Sequence, residues 1–189
     1  SYKAFATSGS NNEFNKMNRD VEAALAYLST NSVTGDRIIL AGSILGANLA
    51  IKAAAIHQDI AMVAAFSPVL NVNDVLSVNP LRAYGKRPLL LVAGANRAKQ
   101  YKELQLLNDI AKQASGRENI TTMVEAIGFG AGELVTKYNI RRIFDWFKNP
   151  RLPSVVDLST PALQTETFDP VEQGGPRPPE DAREDAQYE

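Results

Sequence analysis

The chain has 189 residues, 44% hydrophobic and 22% charged, with a formal net charge of −1, which gives room for one folded core plus a tail and matches ordinary soluble globular proteins. It has no cysteine and one histidine, so disulfides and thiolate metal sites are excluded and scattered carboxylates are the only other metal ligands to hand. No apolar run approaches the roughly 20 residues that a membrane helix needs, and we expect a soluble protein without a transmembrane segment.

The absence of cysteine suits a cytoplasmic or a periplasmic location equally, and localisation stays open. The first residue is Ser1 rather than Met, which is compatible with a removed signal peptide or with a fragment of a longer chain. The charge is uneven. Residues 1–165 carry 18 Lys+Arg against 13 Asp+Glu, whereas residues 166–189 carry 2 against 8. The basic residues of the body are scattered, which leaves no electrostatic footprint for nucleic acid.

In chain order, residues 1–10 form an N-terminal segment and the first element is a helix over 11–30. It is introduced by Ser10 to Glu13 in the pattern of a capping box. Phe14, Met17, Val21, Ala24, Leu25 and Leu28 recur at helical spacing and are its expected core face. A turn at 32–35 leads into Arg37–Ala41, a continuous apolar run that reads as a strand buried on both faces of a parallel sheet. The next helix ends near His57. Ala61–Phe66 is a second strand, and the loop-rich stretch 71–84 is expected to hold a short helix at 73–78. Pro88–Ala93 is a third strand, 99–115 a helix, and Ile120–Ala126 a fourth strand.

Glu133–Lys148 is the last expected helix, with Ile140, Ile143, Phe144 and Phe147 at i, i+3, i+4 and i+7 as the stripe that packs on the sheet. The domain therefore runs over 11–149. The alternation predicts an α/β fold, a parallel sheet of about four strands with helices on both faces and right-handed crossovers. From 150 to 189 the chain is a Pro-rich, acidic extended tail. Seven of the ten prolines lie between Pro150 and Pro179, and such a composition cannot bury enough surface to fold alone.

Between the first expected strand and the helix after it lies RIILAGSILGANLA, in which Gly42, Ser43, Ile44, Leu45 and Gly46 occupy the five positions of a G-x-S-x-G turn. That turn lifts a nucleophilic serine clear of a sheet, and here an isoleucine stands at the nucleophile position. Together with RDVEAALAYL before it, AAFSPVL and RPLLLVAGANR after it, and AIGFGAGELV near the end, this stretch resembles the C-terminal half of an α/β-hydrolase domain of the dienelactone hydrolase and serine peptidase/esterase type. The likeness covers residues 18–147, about two thirds of the chain.

The resemblance implies three catalytic posts, and each is vacated. The nucleophile post is Ile44. The acid post after Gly94 holds Ala95, Asn96 and Arg97, with no carboxylate. The histidine post in GFGAG is Ala131. Ser43 is one residue off the nucleophile position and would point away from an oxyanion pocket, and His57 lies at the far end of the elbow helix. Without a base of near-neutral pKa a serine hydroxyl is a poor nucleophile. No catalytic residue and no cofactor is expected. Gly128 to Gly132 superficially resembles a dinucleotide-binding turn, but Glu133 stands near the last glycine post and no acidic ribose partner follows.

What the likeness implies is an inactive scaffold acting as a structural or interaction subunit of a larger protein assembly. Its expected contacts are the acidic tail (166–189) and the edge near Arg37–Ala41, which is left bare because the early strands of the family do not precede it. Two alternatives stay open. One is a binder of small apolar ligands in the former substrate pocket, lined by Ile44, Leu45, Phe129 and Ala131. The other is a residual serine hydrolase completed by another segment.

Overall fold

Four short apolar runs account for the frame. A computed structural model describes residues 2–6, 9 and 11–150. Strands β1 (Ile39–Ser43), β2 (Met62–Phe66), β5 (Leu89–Gly94) and β6 (Ile120–Glu125) form a parallel sheet in the order β1-β2-β5-β6. A separate two-stranded hairpin, β3 (Asn71–Val72) and β4 (Val75–Leu76), follows β2. The helices are α1 (Glu13–Lys16), α2 (Asn18–Thr30), α3 (Leu45–Ile56), α4 (Val78–Ala83), α5 (Ala98–Ser115), α6 (Ala131–Leu134) and α7 (Ile140–Lys148).

Register divides the sheet into two faces. Ala64 pairs with Leu90 and Phe66 with Val92, and Val92 pairs in turn with Met123. Side chains alternate along a strand, so these five share one face. They are buried together with Leu134, Ile143 and Trp146, which puts α6 and α7 on that side. The opposite face receives α5, whose Asn108 accepts a hydrogen bond from Thr122 of β6 at 2.9 Å. Helix α3 backs onto that same face at Gly42. The α/β architecture and the parallel sheet expected from the sequence are both present.

Helix α3 is buried all round from Ala47 to Ala55, as its nearly unbroken apolar sequence requires. Its Asn48 is fully engaged: Nδ2 donates to Val69 O (2.9 Å) and Val75 O (2.8 Å), and Oδ1 accepts from Val69 N. One side chain thereby ties the loop after β2 and the hairpin to the helix.

Five expectations need correction. The helix over 11–30 is two helices with Met17 at the joint, and the cap is Asn12, whose Oδ1 accepts from Phe14 N (2.9 Å) and Asn15 N (3.1 Å). Ser10 lies outside the described residues. The proposed core face is not core. Phe14 and Met17 are each 41% exposed and α2 has no buried residue; Leu25 of the stripe lines a groove of about 430 Å3 between α2 and the residues flanking β1. The first strand is shifted to Ile39–Ser43 and is not buried on both faces, since Ile39 and Ala41 are exposed at the sheet edge.

The helix expected at 73–78 is instead the hairpin, turned at Asn73 and Asp74, both with positive φ (49° and 63°). Two adjacent left-handed residues form the two-residue turn that matches strand twist, and Asn and Asp tolerate it. The last helix is broken as well. Between α6 and α7, Asn139 Oδ1 accepts from Thr136 N (2.9 Å) while its Nδ2 donates to Leu134 O and to Glu125 Oε1 (2.7 Å). These local bonds compete with helix continuation. The buried stripe of α7 is Ile143 and Trp146, whereas Ile140 (40%) and Phe144 (54%) stay exposed. The expected tail 150–189 lies, but for Pro150, outside the described residues. Among the described residues no helix is long and apolar enough to cross a membrane.

Candidate functional site

At the C-terminal end of the parallel strands, three loops meet: the β1–α3 turn, the loop after β5 and the loop after β6. The β1–α3 turn is held by the backbone. Ile44 has φ 54° and ψ −105°, its N–H donates to Phe66 O at 2.9 Å, and its carbonyl accepts from Asn48 N at 3.2 Å. A β-branched residue at positive φ is strained, and here the hydrogen bonds of β2 and α3 impose it.

The two glycines of the turn are not equivalent. A Cβ built on Gly42 would collide with the Gly46 carbonyl and stand 2.7 Å from Ala47 N, so no side chain fits there. A Cβ on Gly46 meets nothing within 4 Å, so the turn makes no steric demand for glycine at that position. Gly42→Ala is therefore expected to lower stability by about 2–3 kcal/mol through overpacking against backbone. Gly46→Ala should leave it unchanged or raise it by up to about 1 kcal/mol. Urea unfolding of the two variants checks this, and equal losses would contradict it.

The loop after β6 closes over the turn. Ser43 Oγ accepts from Ala131 N at 2.8 Å, and Ser67 Oγ accepts from Gly130 N at 2.9 Å. Gly130 has φ 76°, and a Cβ there would stand 3.3 Å from Ile44 Cδ1, so the isoleucine side chain lies against this loop. The loop after β5 joins through Asn96, whose Oδ1 accepts from Gly128 N at 3.1 Å. Arg97 places its guanidinium 4.7 Å from the Phe129 ring centre, a cation–π contact, and Phe129 N donates to Glu133 Oε2 at 2.8 Å.

Ile44 and the Asn96/Arg97 loop are thus both brought against the loop after β6, which carries Ala131. Leu45 is half-buried at the first turn of α3. Cavities of about 430, 130 and 330 Å3 lie elsewhere, and none of the three is lined by Ile44, Leu45, Phe129 or Ala131. Each hydroxyl beside the turn accepts from a backbone N–H, Ser43 from Ala131 and Ser67 from Gly130.

His57 lies at the other end of α3 and is not simply solvated: it is half-buried, with Nε2 2.7 Å from Glu22 Oε2. Among the described residues no cluster of three or more His, Asp or Glu could hold a metal ion. The serine contacts were not anticipated, although two serines each placed at the end of a parallel strand were a usable signal. No protein-family model, no curated protein and no solved structure matches the chain.

Proposed function

We propose that this chain is a catalytically inactive α/β-hydrolase-like protein that serves as a structural or interaction subunit of a larger protein assembly. The observation that carries the reading is Ile44. Its backbone holds the strained conformation that raises a nucleophile above a sheet, yet the side chain it raises is a hydrocarbon without a lone pair. Strain of this kind persists where surrounding structure over-determines it, and its usual purpose is to present a reactive atom. Asn96 and Ala131 at the other two posts supply neither a carboxylate nor an imidazole.

An interaction role is supported by β1. Its neighbour in the sheet is β2 on one side, and among the described residues no strand pairs with the other. An edge with Ile39 and Ala41 exposed is a template for strand addition by another chain. The acidic residues of 166–189 offer a second contact for a basic partner. Gentle purification of the native protein, size exclusion and mass-spectrometric identification of co-migrating chains test the reading. Stable co-migration with defined partners is expected. Elution as a lone monomer that also labels with a fluorophosphonate at a serine would overturn it.

A further inference from the structure

Helix α3 is apolar from Ala47 to Ala55 except at two polar positions, Asn48, whose role is given above, and Lys52. The lysine is 4% exposed. Its Nζ donates to Asn15 Oδ1 at 2.9 Å, and no carboxylate within the described residues forms an ion pair with it. Asn15 is itself anchored, since its Nδ2 donates to Asp74 O at 3.0 Å. Buried lysines are normally paired, because an ammonium group out of water needs a compensating charge. A neutral amide oxygen satisfies one of its three donors and supplies no charge.

Beside this amine lies a cavity of about 130 Å3, lined by Lys52, Asn15, Phe5, Asp74, Leu76 and Asn79 among others. It is separate from the β1–α3 turn: Lys52 lies eight residues along α3 from Ile44, roughly 12 Å at the helical rise. Burial pushes the ammonium below the ordinary lysine range. Among the described residues, the one other charged side chain that shares the cavity walls is Asp74 on the hairpin turn, and it does not reach ion-pair distance. A deprotonated amine keeps its lone pair and is a nucleophile towards carbonyl carbon.

We propose that Lys52 is a reactive-amine site that forms an imine with small uncharged aldehydes entering the adjacent cavity. An anionic ligand is disfavoured because the Asp74 carboxylate lines the same space. In the reaction the amine lone pair adds to the carbonyl carbon and the C–O π pair moves to oxygen. A proton passes from nitrogen to oxygen to give a carbinolamine, and loss of its hydroxyl as water leaves the imine. Asn15 and Asn79 also line the cavity, so amide groups share its walls with the amine.

The test is reductive labelling of the full chain with propanal and cyanoborohydride, followed by peptide mass mapping at several pH values. At pH 7 Lys52 should label faster than Lys99, whose side chain is 82% exposed, since burial lowers the Lys52 pKa and so enlarges its free-amine fraction. The advantage should shrink towards pH 10 as surface amines lose their protons. Lys52→Arg should abolish that adduct and leave the others unchanged. Labelling of Lys52 no faster than Lys99 at pH 7 overturns the proposal, and this readout on the unsubstituted protein stands even where the variant does not fold. The inference does not rest on the reading of Ile44.

Discussion

Trp146→Ala is expected to destabilise the protein by about 3–5 kcal/mol, the range for removing a large aromatic from a packed core. That is a large fraction of the about 5–15 kcal/mol that holds a domain together. The side chain is fully buried among Phe66, Leu90, Val92 and Met123 of the sheet, and its ring meets Phe147 edge to face at 5.6 Å. Ile143 and Trp146 are the two buried residues of α7, with Phe147 partly buried beside them, so the substitution removes the largest side chain that docks that helix. Trp146→Phe should cost much less, about 1–2 kcal/mol, for a physical reason beyond size: Trp146 Nε1 has no acceptor among the described residues, so phenylalanine removes a buried, unsatisfied donor. Urea unfolding followed by far-UV circular dichroism checks both, because the chain has a single tryptophan and its fluorescence disappears in the variants. A loss under about 1 kcal/mol for Trp146→Ala would mean that α7 does not contribute to the cooperative core.

The frame of the fold was legible where burial and sequence pattern agree. Val63 to Phe66 and Leu89 to Ala93 are apolar runs buried on both faces, and each of these strands lies within a residue or two of its expected position. The pattern misled where burial was one-sided. The apolar stripe of α2 has the right period but no residue of the helix is fully buried, and Ile39 to Ala41 is apolar at an exposed edge. Periodicity reports which residues prefer to leave water, and only the neighbouring elements decide whether they do.

Short polar segments were the other source of error, and each has a local signal. Asn73 and Asp74 between Val72 and Val75 spell a two-residue turn without glycine, and Thr136 with Asn139 marks a break in what otherwise reads as one helix. In α7 Ile143 and the partly buried Phe147 face the core as the stripe implies, joined by Trp146, whereas Ile140 and Phe144 turn outward because the helix begins at Ile140 rather than continuing from Glu133. That Ile44, Asn96 and Ala131 each follow a strand of the parallel sheet was legible from the order of the apolar runs. The serine contacts that close the loops over Ile44, and the isolation of Lys52, depend on long-range geometry that no local pattern carries.

Arg87 stands just before β5, and its guanidinium is the main polar clamp of this part of the fold. Nη1 donates to His57 O (3.2 Å) and Ile60 O (2.7 Å), Nη2 to Ala54 O (2.7 Å) and Tyr84 O, and Nε to Tyr84 O (3.2 Å). These carbonyls lie at the end of α3, in the turn before β2 and at the end of α4, so one planar fork joins three segments. The ring of Tyr84 lies 4.5 Å from the guanidinium carbon, and its hydroxyl donates to Pro88 O at 2.7 Å. Burial pulls the guanidinium below its ordinary range, and the nearby Tyr84 and Asp59 pull it back. Arg87→Ala is expected to cost about 3–4 kcal/mol, since several carbonyls lose a charged donor at once. Arg87→Lys should recover less than half of that, because an ammonium point charge cannot reach four carbonyls in the geometry of the fork. Thermal and urea unfolding of both variants measure the difference. If Lys restored full stability, the contribution of Arg87 would be its charge alone and the fork geometry would carry none of it.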